Sequence, residues 1–410
     1  MRKILSWVAT MSCLAVVLGS CGSSSNGAAT REVLIDYKHD EFASAFLRYY
    51  PKSVKVHPGD TVRFKQTWTG EPHSVTLGSV VDDAFKYEPL IEKYNSKEEA
   101  AAAGEDPALI DKVDATFSRL PAMNDQNGDI FSPGAEPCYV AAFAQLPRFT
   151  DEIGNALKGT TCPTRGQRQP SFTGRQALYS SGFIPFRGVG ANTFEMPIAK
   201  NAVPGTYQYF CNYHWMGMSG TVTVVPARRP IPSRNAVARE GRKEVERDSK
   251  PILAALKKGK QRASGAAPLV GVATGRSDYA SINEFLPHTM QAKVGKPVTW
   301  KVEGFRHTVS FNVPKYFPVL TVGKDGSVSV DKRAHDAVGW TVPPATLDPQ
   351  GRVAAPRAID VGAWDGTGGY HSSGLIEDGE TFSVTFTKPG TYPYACVIHP
   401  AMIGEVKVSA

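Results

Sequence analysis

Two stretches of the chain render one pattern: Pro204-Gly205-Thr206-Tyr207-Gln208-Tyr209-Phe210-Cys211-Asn212-Tyr213-His214-Trp215-Met216-Gly217-Met218, and Pro389-Gly390-Thr391-Tyr392-Pro393-Tyr394-Ala395-Cys396-Val397-Ile398-His399-Pro400-Ala401-Met402. Each opens on a Pro-Gly turn signal and alternates aromatic with polar residues, as a half-buried strand does. Each then places a histidine three residues after a cysteine and a methionine shortly beyond. The closing runs also match, Met218-Ser219-Gly220-Thr221-Val222-Thr223-Val224 against Met402-Ile403-Gly404-Glu405-Val406-Lys407-Val408. Upstream, Val56-His57-Pro58-Gly59-Asp60-Thr61-Val62-Arg63-Phe64 followed by Pro72-His73-Ser74-Val75-Thr76-Leu77 parallels Val294-Gly295-Lys296-Pro297-Val298-Thr299-Trp300 followed by Arg306-His307-Thr308-Val309-Ser310-Phe311. Self-similarity on this scale means one structural module used twice.

The repeated parts are short runs rich in Val, Thr, Tyr and Phe, separated by Pro-Gly and Gly-Asp turns. They predict an all-β fold of two antiparallel Greek-key β-sandwiches. The first module spans 30–226 and the second 268–410. Their histidine-to-cysteine intervals differ, 138 positions from His73 to Cys211 and 89 from His307 to Cys396, so each carries an insertion of its own, at 79–186 and 312–373. Within the first, Lys97 to Leu120 has helical spacing interrupted by Gly104 and Pro107; most of the remainder reads as loop. Residues 227–267 form a basic linker, expected to be solvated, with a helix from Arg234 to Lys258.

Taken together, His73, Cys211, His214 and Met218 form one ligand set, and His307, Cys396, His399 and Met402 another. A thiolate and two imidazoles in a plane, with a weak thioether above it, suit copper in both oxidation states, and such a site passes electrons with little rearrangement. Zinc would not need the methionine. In the first module one extra residue separates histidine from methionine, which leaves Met216 as an alternative axial ligand; aligning the strand that follows favours Met218.

Both modules resemble the cupredoxin family, the plastocyanin, amicyanin and pseudoazurin type of type 1 blue copper proteins. The second is the closer match, its Cys396-to-Met402 loop being similar to an amicyanin ligand loop. The resemblance implies one copper per module. It also implies that the residue after each upstream histidine, Ser74 or Thr308, helps hydrogen-bond the cysteine sulfur. Electrons would pass through the exposed edge of His214 or His399, so redox partner proteins would dock at Trp215, Met216 and Gly217 or at Pro400 and Ala401.

Composition narrows the alternatives. The formal charge of +7 over 410 residues is concentrated at 227–262, where twelve Lys/Arg stand against four Asp/Glu, so the rest of the chain has no general basic face and no nucleic-acid partner is expected. Residues 1–20 have the layout of a lipoprotein signal, Arg2 and Lys3 before an apolar run ending at Cys21; residues 21–29 then read as a flexible tether from a lipidated Cys21. That places the protein on a membrane surface, facing the periplasm or exterior. Of six cysteines, Cys13 and Cys21 belong to this leader, Cys138 and Cys162 pair as a disulfide in an oxidising compartment, and Cys211 and Cys396 are the ligands.

The leading expectation is an electron carrier and not an enzyme. Nitrite reductases and multicopper oxidases use the same sandwiches but place a histidine directly before the ligand cysteine and use His-x-His pairs. Here Phe210 and Ala395 occupy that place, and no His-x-His occurs. Copper delivery or storage is the second expectation, without a Met- and His-rich tail to support it. The stretch Asp125-Gln126-Asn127-Gly128-Asp129 with Glu136 imitates a calcium loop but has Ile130 where glycine is needed, and reads as an Asx-rich turn.

Overall fold

The structure, a computed structural model, describes residues 28–94, 96–121, 134–151, 156–157, 159–185, 191–263, 268–275, 279–314, 320–322, 328–346 and 354–410. The leader, Cys21 and the Asp125–Asp129 stretch lie outside the described residues. Among these, no helix is long and apolar enough to cross a membrane.

Alternation along the strands builds two sandwiches. In Thr61–Gln66, for example, Val62 and Phe64 point inward between more exposed neighbours. The first sandwich sets the sheet Tyr49–Tyr50, Thr30–Ile35, Thr61–Gln66, Thr193–Pro197 against the sheet Ser53–Val56, Trp215–Val224, Gly205–Cys211, Thr76–Leu77, Leu178–Ser180, Cys138–Val140. Between them lie Val33, Phe64, Tyr209 and Val222. The second packs Trp300, Phe311, Phe382 and Tyr394 between its own two sheets, where the Trp300 indole donates to the Tyr394 hydroxyl at 3.1 Å.

The sheets are mixed, not wholly antiparallel. Thr30–Ile35 runs parallel to Thr61–Gln66, and Ser53–Val56 parallel to Trp215–Val224. The second sandwich repeats both pairings with Leu269–Val272 beside Pro297–Val302 and Thr289–Lys293 beside Ile403–Ser409. A chain that crosses between sheets before pairing returns in the same direction, a pattern that hairpin logic does not anticipate.

The insertions are partly core. The expected helical stretch is two helices, Lys97–Ala102 and Pro107–Phe117, broken where Gly104 and Pro107 fall. A third helix, Ser79–Lys93, occupies ground read as loop. Strands Cys138–Val140 and Leu178–Ser180 extend the first sandwich, and Ala358–Trp364 and His371–Ser373 join the sheets of the second.

Residues 234–263 are not a solvated linker. Helix Arg234–Ala263 buries Val237, Val245, Ile252 and Leu256 along one face. It meets Phe46 and Tyr50 from the first segment and Ile282 and Leu286 from the second in a third core. Arg48 and Tyr50 both reach its buried Asp248, at 2.9 and 3.3 Å. Gly259 lets the helix approach, since a Cβ there would stand 2.7 Å from a Val272 methyl. Strand Ser44–Phe46 leaves the first sandwich and pairs with Ala280–Leu286 of the second.

Candidate metal centres

Strand pairing brings the first ligands together. Thr76–Leu77 pairs with Gly205–Cys211 through Phe210 and Tyr209, so His73 and Ser74, just upstream, reach the cysteine end of the neighbouring strand. The second site uses Ser310–Phe311 against Gly390–Ala395 in the same way. Behind each upstream histidine stands a Ser-Ser-Gly corner. Ser181 Oγ accepts from Val75 N at 2.8 Å and Ser373 Oγ from Val309 N at 2.9 Å. Ser180 and Ser372 hydroxyls bond Thr76 and Ser310 at 2.8 and 2.9 Å. Ser180-Ser181-Gly182 and Ser372-Ser373-Gly374 are a legible repeat, the first inside a stretch read as insertion and the second at the end of the other.

In the first site Cys211 Sγ lies 3.9 Å from His73 Nδ1 and 3.6 Å from His214 Nδ1. In the second, Cys396 Sγ lies 3.9 Å from His307 Nδ1 and 3.5 Å from His399 Nδ1, and the two Nδ1 atoms are 3.0 Å apart. Among the described residues these are the two groups of three His, Cys, Asp or Glu side chains whose ligand atoms converge, within 4.8 Å of one another. Met218 and Met402 are fully buried in the same cores as Cys211 and Cys396. Met216 is also buried but packs in a separate cluster with Phe210, against the first insertion.

Each sulfur receives a backbone hydrogen bond, from Ser74 N or Thr308 N, both at 3.4 Å. The hydroxyls of these residues brace the ligand loops: Asn212 N donates to Ser74 Oγ at 2.8 Å and Val397 N to Thr308 Oγ1 at 2.9 Å. Ser74 Oγ also reaches Cys211 Sγ at 3.9 Å, whereas for Thr308 it is the amide that contacts sulfur.

The electrostatics suit a thiolate. Burial pushes the Cys211 thiol up, but hydrogen bonding to His214 and His73 outweighs it and holds the thiol well below its usual range. Cys396 behaves likewise: burial raises it, and the charge of His399 with hydrogen bonds to both histidines brings it well down. One thiolate, two imidazoles turned by Nδ1 toward it and a thioether in the same core are a donor set that fits copper.

The two sites are not equivalent. Asp36, which sequence reasoning missed, is fully buried at left-handed φ 62° and contacts His73 Nε2 at 3.0 Å. It is held by Phe46 N and the Thr69 hydroxyl at 2.6 and 2.5 Å. His307 Nε2 is buried with no such partner. Glu71, likewise missed, stands 3.7 Å from both His214 Nε2 and His399 Nε2. Burial pushes its carboxyl up, and the two imidazoles outweigh this and hold it well below the carboxylate range.

The exposed edge expected of His399 is absent, because the ring is 2% exposed. The Gly70 segment lies across it, so close that a Cβ at Gly70 would strike the Ile398 carbonyl. His214 is nearly as enclosed, its side chain 10% exposed. Trp215 does reach the surface, 41% exposed, with its ring against Phe210 and Phe117. Cys138 and Cys162 form the expected disulfide. Glu136, from the calcium-like stretch, pairs with Arg165 at 3.2 Å.

Residues 274–409 match the family described as copper binding proteins, plastocyanin/azurin family. No curated protein is similar enough to count as a relative. Among solved structures, a purple cupredoxin from Nitrosopumilus maritimus is 18% identical, covering 35% of this chain and 99% of its own, with a TM-score of 0.18. A reduced Cu(I) amicyanin variant is 19% identical over 36% of this chain and 89% of its own, with a TM-score of 0.19. The family match and the sheets agree on an all-β, cupredoxin-like sandwich fold, and the matched segment carries His307, Cys396, His399 and Met402.

Proposed function

We propose that the chain is an extracytoplasmic electron-transfer protein with two type 1 copper centres, one held by His73, Cys211, His214 and Met218 and the other by His307, Cys396, His399 and Met402. The observation that carries this is the duplicated site: a buried thiol facing two Nδ1 atoms and receiving one backbone N–H, built twice on equivalent pairs of strands. Copper bound there supplies a one-electron couple between Cu(I) and Cu(II).

The protein's own part is to keep that couple cheap to turn over. The Ser74 and Thr308 amides draw density from the sulfurs, and the Ser-Ser-Gly corners fix the strands behind the upstream histidines. Burial of five of the six thiol and imidazole ligands, with His214 only a little exposed, limits water. For both coppers the chain offers no histidine directly before the cysteine, which favours a carrier over an oxidase or reductase. A location outside the cytoplasm, with a lipid anchor at Cys21, is supported by the Cys138–Cys162 disulfide, which persists in oxidising compartments. Trp215, exposed and one residue from His214, is the proposed docking point for a redox partner.

The test is the visible spectrum with copper quantification of the protein from Ala28 onward, beside Cys211→Ser and Cys396→Ser. Two coppers per chain and a strong thiolate-to-copper band, halved in each variant and lost in the double variant, are expected. A colourless protein that holds Cu(I) and resists oxidation would overturn the carrier in favour of copper delivery or storage.

A further inference from the structure

The ligand histidines turn Nδ1 toward their cysteines, so a neutral ring bound through Nδ1 carries its proton on Nε2. In His214 and His399 both of those Nε2 atoms face one group, the Glu71 carboxylate, at 3.7 Å on each side. That is longer than a hydrogen bond and within ion-pair reach. By the width of a carboxylate, the two Nε2 atoms therefore lie within about 10 Å of each other.

The surroundings largely enclose this contact. The Glu71 side chain is 14% exposed and the His399 side chain 2%. Gly70 lies against the Ile398 carbonyl and the His399 ring at a φ of 114°, which only glycine adopts without strain. Phe305, which holds the place in the second module that Glu71 holds in the first, two residues before the upstream histidine, packs against the first core. From each half, the residue at this position crosses to the other.

We infer that Glu71 is a positioning residue joining the two centres into one internal relay, His214 to Glu71 to His399. This rests on the two-copper reading above. In the transfer step one electron leaves the reduced centre and enters the oxidised one; no bond forms or breaks, no proton is released, and the charge of the pair is unchanged. The single carboxylate charge stabilises the oxidised form of either centre and is shared when both are oxidised.

The test measures reduction potentials of the copper-loaded protein in two single-centre backgrounds, Cys211→Ser and Cys396→Ser, each with and without Glu71→Gln. Removing the shared charge is expected to favour Cu(I) at both centres at least tenfold, 59 mV for one electron. With both centres intact, one electron is delivered by pulse radiolysis to the oxidised protein. Freeze-quench EPR then follows its redistribution between the two Cu(II) signals, which is expected to be at least tenfold slower in Glu71→Gln. Glu71→Asp, which keeps the charge, should hold both potentials near wild type. A shift at one centre only, or none with both coppers bound, would overturn the relay and leave the two centres standing. A wild-type protein that does not bind two coppers would overturn the two-copper reading, and the relay with it.

Discussion

The buried Asp36 is the residue that makes two similar sites unequal. A carboxylate on the far nitrogen of a ligating imidazole raises its basicity and favours the more highly charged metal. The first centre should therefore have the lower potential, because His307 lacks such a partner. Asp36→Asn, which keeps an acceptor for Phe46 N and tolerates the left-handed backbone, is expected to weaken Cu(II) binding at the first centre about 10- to 100-fold and leave the second unchanged, as metal titration of the single-centre variants would show. Asp82 gives a pH signature unrelated to metal. Burial pushes its carboxyl from 3.8 up to about 6, partly offset by the hydrogen bond it accepts from Gln208 N. A folded-state value above the unfolded one means that the folded protein holds this proton more tightly. The associated stability is present below about pH 4 and is lost as pH rises through 6. In Asp82→Asn the melting temperature should match wild type at pH 4 and exceed it at pH 7. All eight ligand positions were read from spacing, because Cys-x-x-His and the histidine before a Val-rich strand mark local geometry; the six histidines and cysteines converge, and Met218 and Met402 lie in the same cores as their cysteines. Asp36 and Glu71 were not legible: a carboxylate announces nothing until folding sets an imidazole beside it.

At the level of elements, the strands that carry ligands were readable because period-two alternation is local, and the helices that support them were only half so. Lys97–Ala102 and Pro107–Phe117 announce themselves through Ala runs and the Pro at the second helix's first turn. Ser79–Lys93 has Pro89 inside it and begins on Gly78, which hid it. The helix Arg234–Ala263 looks solvated by charge count because its buried stripe is thin, with Gly241, Ser249 and Gly259 set between Val237, Val245, Ile252 and Leu256. Gly259→Leu should drive a side chain into Val272 and cost about 1–3 kcal/mol in denaturant melts, despite leucine's better helix propensity. The disulfide closes a loop with a sequence separation of 24 inside the first insertion. Its reduction should cost about 3 kcal/mol by the chain-entropy account and leave the spectrum of the second centre unchanged, since none of that loop's described residues lies in the second core.

Across the whole molecule, four cores stand among the described residues where a tandem arrangement predicts two: one in each sandwich, one under the first insertion and one where the helix joins the halves. The last, around Phe46, Ile252, Leu256 and Ile282, joins one strand from the first segment, the helix and the second sandwich. Calorimetry should accordingly show one cooperative unfolding transition, with Phe46→Ala lowering it by about 3–5 kcal/mol; two separate transitions in the wild type would mean that the sandwiches stand alone. Long-range pairing of this kind cannot be read from a repeat, because Ser44–Phe46 pairs with its own counterpart in the second module, Ala280–Ile282, and the equivalence of two strands does not say that they meet. The lid that Gly70 lays over His399 also bears on biogenesis. An ion bound for the second centre meets a closed door in the finished protein, so its loading is a question of timing. Copper offered during folding should be captured at once, whereas copper offered afterwards must await a local opening, so time-resolved copper uptake by the folded, metal-free protein should show slow filling of the second centre.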